Sequence, residues 1–266
     1  MNPAAWWTAG ALGLLLAVPL GVQGFAYARA VARKRRARRA CPFEDDDHDT
    51  LPVLRAIQLV IAESALWIYA IATAMRPPSE STPGASRAVP VIVLPSPWLP
   101  RASVRLLVAR LRRDGFAIVC PRLPGPVCSP ARRRDALDRA LRAVWERSGA
   151  RVVDVIAPPG AAAVVAEHLA RGGSGVPTIR RLLTLGAAGG AGAAIPPATE
   201  VVAFYSYDDP LLGPLERARR PGAVNVAVRA VGRLGILHAP HVYTLVREHL
   251  LAPPLEEPPP WTDATS

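Results

Sequence analysis

The sequence is almost without lysine and is poor in aromatic residues. Of its 32 basic residues only Lys34 is a lysine, and the rest are arginines. Aromatic residues make up 6% of the chain, so the side chains that stack on the bases of single-stranded nucleic acids are scarce. Much of the net charge of +11 comes from a single run, 33–39, beside an apolar segment. We therefore expect no nucleic-acid partner, although such a charge would otherwise suggest one.

Cysteines are equally few, and their spacing argues against a metal site. Cys41, Cys120 and Cys128 include no Cys-x-x-Cys pair, so zinc is not indicated, and we expect neither a metal nor a cofactor. Cys120 and Cys128 flank a loop rich in proline, and they can pair if that loop faces an oxidising compartment. Two buried thiols are the alternative. The acidic run 44–49 is interpreted as a solvated segment that offsets the basic run.

The first 28 residues contain no charged side chain. The segment Ala4–Ala28 exceeds the ~20 apolar residues that cross a bilayer, and Trp6, Trp7 and Tyr27 lie near its ends, where interfacial aromatic residues are common. A cleavable signal peptide carries its positive charge before the apolar region, but here Arg33–Arg39 follows it. The pattern predicts a retained membrane anchor with its basic run in the cytoplasm.

A second apolar segment, Leu51–Met75, has the length of a spanning helix. Glu63 near its middle costs roughly 2.5–3.5 kcal/mol on insertion scales, which the surrounding large aliphatic residues can offset. We expect 56–75 to be a second span in a bacterial inner membrane, which places the rest of the chain outside the cytoplasm. The alternative is a helix that lies at the membrane interface or packs on the globular domain. The chain then has one span, and the domain is in the cytoplasm.

Composition divides the 266 residues into four parts. Residues 1–76 form the predicted membrane-anchoring region, and 77–88 form a linker of proline, serine, threonine and glycine. Residues 89–251 form a globular domain large enough to bury a core. The tail 252–266 is rich in proline and is predicted to be disordered.

Within the domain, short runs of β-branched residues alternate with helical segments. This alternation predicts an α/β fold with a mostly parallel sheet and helices on both faces. The predicted strands are 89–94, 116–120, 152–157, 181–185, 201–205 and 223–228. The predicted helices are 103–113, 131–148, 162–170 and 240–250.

The strand Val152–Ala157 leads into a turn of small residues and then a helix. In lipases and esterases such a turn reads Gly-x-Ser-x-Gly, and its serine stands exposed at the top of the sheet. Here Pro159 occupies the serine position, and proline has no hydroxyl that could attack an acyl carbon. No serine, cysteine or threonine lies between Val152 and Gly173.

Five segments, in order, resemble the bacterial triacylglycerol lipase and esterase branch of the α/β-hydrolase family. They are 89–95, which is similar to the opening strand, 152–162 at the elbow, 179–188, the acid-loop segment 204–214, and the closing segment 231–243. The resemblance covers roughly Val89–Leu251 and implies an α/β-hydrolase-like fold. It places the Ser, Asp and His positions of the family at 159, 209 and 233.

The resemblance implies a catalytic triad that this chain does not carry. Acyl transfer needs a nucleophile, a base that takes its proton, and a group that orients the base. Pro159 stands at the nucleophile position and Arg233 at the base position, and arginine stays protonated in proteins. Asp209, or its neighbour Asp208, retains the acid position, although a turn residue before Pro210 is the alternative.

These observations predict a membrane-anchored, lipase-like protein that has lost hydrolytic activity. It would act as a binding or scaffolding module, with the lipid bilayer, an acyl ligand or a protein as its partner. The alternative is an active lipase or esterase with a relocated site, which would draw on Ser96, Ser206, His238 or His241. We expect the two histidines instead to supply a polar helix start and a solvent-facing contact.

Overall fold

The computed structural model describes most of the α/β region, residues 89–253. The described residues are 53–73, 89–97, 99, 101–125, 127–158, 160–172, 177–186, 195–196, 198–209 and 220–253, with seven more between 17 and 32. Apart from those seven, the predicted span Ala4–Ala28 and the runs 33–39 and 44–49 lie outside the described residues. So do the linker 77–88 and the tail from 254 onward, and the predictions about these segments stay predictions.

Six parallel strands form one sheet in the order β2-β1-β3-β4-β5-β6. Helices connect most of them and cover both faces, so the predicted fold class is confirmed. The strands are β1 Val91–Val93, β2 Ile118–Val119, β3 Val152–Ala157, β4 Thr178–Leu185, β5 Glu200–Ser206 and β6 Val224–Val228. The helices are α1 Val53–Ala72, α2 Arg105–Arg113, α3 Pro130–Ser148, α4 Ala161–Leu169, α5 Gly235–His238 and α6 Pro240–Leu251. A 3-10 helix, Arg101–Val104, precedes α2.

The strands bury both of their faces, because successive side chains point to opposite sides of a sheet. On β1, Val91 and Val93 enter a first core together with α2, α5 and α6. Ile92, between them, enters a second core with α3 and α4. This explains why the strands read as continuous apolar runs rather than as alternating ones.

The helix α3 shows why the element boundaries were predictable from the sequence. Ser129 caps it by accepting a hydrogen bond from the backbone N–H of Arg132 at 3.4 Å. Pro130 occupies the first turn, where no N–H is required. Gly149 ends the helix in the left-handed conformation, with φ of 66°.

The strand β4 begins at Thr178, three residues before the predicted start at Arg181, and both of its arginines are paired within the sheet. Arg180 forms a two-pronged ion pair with Asp154 on β3, at 2.9 and 2.6 Å. Burial raises the pKa of Asp154, and the hydrogen bonds and the charge of Arg180 oppose that rise. Arg181 pairs with Glu200 on β5 at 2.6 Å. Arg180, which the prediction left outside the strand, thus has its charge compensated by Asp154 on the neighbouring strand.

The helix α1 is docked on the α/β region. Ala56, Glu63 and Ala70 are buried on its inner face, while Leu66 and Trp67 pack against the first core. It contacts the 3-10 helix and α5. By length and composition alone, its segment Leu54–Ala72, of mean hydropathy 1.5, is the one candidate membrane span among the described residues.

Candidate functional site

The candidate site lies at the carboxyl ends of the strands, and it extends from the reversal of strand order between β1 and β3 to the loops that follow β5 and β6. In open α/β sheets, ligands bind in the crevice beside such a reversal. The strand β3 ends at Ala157 and α4 begins at Ala161, so the connection is as sharp as predicted. Gly160 takes a φ of 82°, which favours glycine. Pro159, the predicted nucleophile position, lies outside the described residues.

The residues at the predicted acid and base positions, Asp209 and Arg233, form an ion pair. Arg233 Nη2 lies 3.1 Å from Asp209 Oδ2, and the Asp209 side chain is 2% exposed. Asp209 follows β5 and Arg233 follows β6, so two adjacent strand ends bring the two residues together. The positions at which the resemblance implies an acid and a histidine are therefore neighbours, but the arginine turns the pair into a fixed salt bridge.

The neighbouring residue, Asp208, has a structural role in the same loops. Its Oδ2 accepts a hydrogen bond from the backbone N–H of Ala230 at 2.6 Å, at a residue whose φ is 59°. Ser206 donates to the carbonyl of Val231 at 2.5 Å and accepts from the N–H of Asp208. These bonds fix the loop after β5 against the loop after β6. Ser206 is thus engaged with the backbone.

Glu63 also belongs to this site, although it was not predicted as a site residue. Its carboxylate accepts hydrogen bonds from the backbone N–H groups of Leu234 at 2.8 Å and Gly235 at 2.6 Å. Burial raises the pKa of Glu63, these two N–H groups oppose the rise, and the charge of Asp209 adds to it. The available signal was an ionisable residue inside an apolar helix, which marks a functional position by default.

The loop that receives Glu63 requires glycine at two positions. A Cβ atom at Gly232 would lie 2.5 Å from Glu63 Cδ, and one at Gly235 would lie 2.7 Å from Glu63 Oε1. Any side chain there would force the carboxylate out of its position. The segment 232–235 is therefore shaped around a residue of α1.

Among the described residues, no hydrogen bond joins His238 or His241, the histidines of the proposed relocated site, to a serine. His241 is exposed at the start of α6. His238 is not a helix start: it ends α5, is 7% exposed and meets the ring of Tyr69 edge-on at 6.4 Å between centroids. Neither of its ring nitrogens has a hydrogen-bond partner among the described residues. Burial, reinforced by the charge of Arg110, lowers the pKa of His238 to about 4.

Acidification is expected to destabilise the fold through His238. Between about pH 6.5, where an unfolded histidine titrates, and about pH 4, where the folded one does, the unfolded state binds a proton that the folded state excludes. Stability therefore falls as the pH drops through this window, by about 3 kcal/mol from this residue. Urea unfolding at a series of pH values measures the effect. His238→Leu is expected to flatten the profile, whereas a matched change at exposed His241 leaves it unaltered; equal profiles for the two variants would contradict the prediction.

The cysteines and acidic residues show no arranged metal site in the described part of the chain. No group of three or more histidine, cysteine, aspartate or glutamate side chains there is placed to hold a metal ion. Cys120 is buried and Cys128 is partly exposed, both as thiols.

No family model matches the chain, and no curated protein matches it. Solved structures do match, among them the following three. The lin2722 product of Listeria innocua matches with a TM-score of 0.48 and 12% identity, over 65% of this chain and 97% of that one. MGS-MChE2, an α/β hydrolase enzyme from the sediment metagenome of the Mar Chica lagoon, Morocco, matches with a TM-score of 0.47 and 12% identity, over 62% of this chain and 91% of that one. Carboxylesterase CesB of Bacillus subtilis matches with a TM-score of 0.43 and 13% identity, over 74% of this chain and 98% of that one. These are likenesses of fold.

Proposed function

We propose that this chain is a membrane-anchored protein of the lipase-like α/β-hydrolase fold that does not hydrolyse esters and acts as a binding or scaffolding module. The observation that carries the proposal is the Asp209–Arg233 ion pair, 3.1 Å long, at the acid and base positions. In a hydrolase the acid orients a neutral base, which then takes the proton of the nucleophile.

The ion pair prevents that proton transfer for a chemical reason. A guanidinium has five N–H donors, carries no acceptor and keeps its proton in proteins. Asp209 therefore stabilises a permanent cation instead of a transient imidazolium. Pro159, at the nucleophile position, offers no hydroxyl either. Two independent requirements of acyl transfer thus fail at positions that the fold would otherwise bring together.

A ligand site can persist without the chemistry. The crevice at the strand ends belongs to the topology of an open α/β sheet, and it does not depend on the triad. The resemblance to lipases and esterases makes a lipid, an acyl chain or a protein surface the expected class of occupant. The predicted span Ala4–Ala28, followed by Arg33–Arg39, would hold that crevice near the bacterial inner membrane.

The first test is hydrolysis by the purified full chain in detergent. We expect no turnover of short-chain p-nitrophenyl esters above that of a heat-treated sample, and no labelling by a fluorophosphonate probe, because Arg233 and Pro159 supply neither a base nor a nucleophile at the predicted positions. Ser96→Ala and Ser206→Ala are the informative variants, since both serines are buried near the strand ends. Turnover that one of these changes abolishes would establish the relocated lipase or esterase site instead.

A further inference from the structure

The helix α1 has two faces of opposite character. Its inner face carries Glu63 and packs on the α/β region. Its outer face exposes large aliphatic side chains, with Leu54 at 75%, Ile57 at 51%, Ile61 at 55% and Ile71 at 42% exposure. These residues recur at the spacing of one helical face. Such a continuous apolar strip on a folded surface indicates a contact with a partner or a membrane.

The inner face is incompatible with a helix that crosses the bilayer. Glu63 lies at the middle of α1 and is bonded to the backbone of Leu234 and Gly235. If α1 spanned, this contact would bring the irregular loop 232–235 and the Asp209–Arg233 pair to the centre of the membrane. Lipid-exposed irregular backbone does not occur in the hydrocarbon region, and charged groups there are costly. A docked α1 therefore cannot also be a span.

The outer face suits the membrane interface rather than water. Arg55, in the first turn, is the only charged residue of α1 besides the buried Glu63. Helices that lie in the interface plane bury an apolar face at the boundary of head groups and acyl chains. The chain also carries Arg33–Arg39 before α1, and basic runs are attracted to anionic phospholipid surfaces.

We propose that α1 lies in the plane of the membrane surface, with the α/β region on its inner face and an anionic phospholipid bilayer against Leu54, Ile57, Ile61 and Ile71. The inference deepens the anchoring part of the proposed function and rests on the predicted span Ala4–Ala28. It replaces the two-span topology expected from the sequence by a single span. With one span the α/β region lies on the same side as Arg33–Arg39, which the positive-inside rule assigns to the cytoplasm.

Depth measurement along α1 distinguishes the two arrangements. Single cysteines are introduced as Leu54→Cys, Ile61→Cys and Ile71→Cys in a full chain whose native cysteines are replaced (Cys41→Ser, Cys120→Ala, Cys128→Ser). Each is labelled with an environment-sensitive fluorophore and reconstituted in vesicles of phosphatidylethanolamine and phosphatidylglycerol. Lipids brominated at shallow or deep acyl positions, and aqueous iodide, serve as quenchers.

In an in-plane helix all three labels have the same shallow depth. In a spanning helix the outer labels would be about 26 Å apart along the axis, with the label at 61 deepest and those at 54 and 71 shallow. A label introduced as Val127→Cys, at a residue 98% exposed on another part of the surface, is the control and is expected to respond to iodide alone.

Each alternative result overturns the inference. A maximum of depth at residue 61 would establish a span. Quenching of all three labels by iodide alone would show that the face stays in water. Protection from both kinds of quencher would show that a second copy or residues 4–28 cover the face. The ester-hydrolysis assay on the same vesicles is independent, so turnover would refute the loss of activity without changing the depth result.

Discussion

Replacing Arg181 with methionine is expected to lower the free energy of unfolding by about 3–5 kcal/mol, the range for a buried ion pair that loses one partner. Arg181 is fully buried on β4. Its Nε and Nη2 donate to Glu200 Oε2 at 2.7 and 2.6 Å. The guanidinium also donates to the carbonyls of His249, Ala252 and Pro253 at the end of α6. The substitution therefore leaves a carboxylate and the last turn of α6 without their donor.

Arg134→Met is the matched control for this prediction. Arg134 pairs with Glu167 at an equal distance of 2.7 Å, but the glutamate is 41% exposed. Pairs of this kind contribute about 0.2–1 kcal/mol. Urea titration of the full chain in detergent, followed by near-UV circular dichroism, measures both variants. Equal losses at the two positions would mean that the buried pair contributes no more than the surface pair.

The order of the elements in the α/β region was predictable because it depends on local chemistry. Short β-branched runs read as strands, and proline and glycine mark most of the boundaries. The strand Val152–Ala157 has the predicted bounds. The helix α3 differs by one residue, since Ser129, Pro130 and Gly149 specify its ends. Such signals act over a few residues and need no knowledge of the rest of the chain.

The contacts that define the site were not predictable, because they join distant residues. Glu63 is 171 residues from Leu234 along the chain, and in the sequence it appears only as a cost to membrane insertion. The sequence indicates Asp209 and Arg233 separately, but their ion pair depends on the adjacency of β5 and β6. The short helix α5 was also missed, since four residues are too few to show a helical pattern; its first N–H group, that of Gly235, donates to Glu63 on α1.

The second large loss of stability is expected from substitutions at Glu63 and Gly232, which lie against each other. Glu63→Ala and Gly232→Ala are each expected to lower the free energy of unfolding by about 3 kcal/mol, because a charged group contributes about 1.5–3 kcal/mol per hydrogen bond. The first change removes the carboxylate, and the second displaces it, since the new Cβ would meet Glu63 Cδ at 2.5 Å. Both remove the same contact, so the double variant should lose little more than either single one.

Urea titrations of the two single variants and the double variant form the thermodynamic cycle. Gly125→Ala is the control for adding a methyl group, because a Cβ at Gly125 would meet nothing within 4 Å. It is expected to leave stability nearly unchanged. Additive losses in the double variant, or a Gly232→Ala loss as small as that of Gly125→Ala, would show that the carboxylate does not hold the loop.

The same variants separate the two properties of Glu63, its contact with the loop and its charge. Glu63→Ala removes both, and the cost of roughly 2.5–3.5 kcal/mol for a charge at the bilayer centre disappears with it. A label at Ile61→Cys is then expected to move from shallow to deep as α1 inserts. Gly232→Ala releases the helix but keeps the carboxylate, so that label should stay shallow. A deep label in both variants would mean that docking alone, without the charge, keeps α1 at the membrane surface.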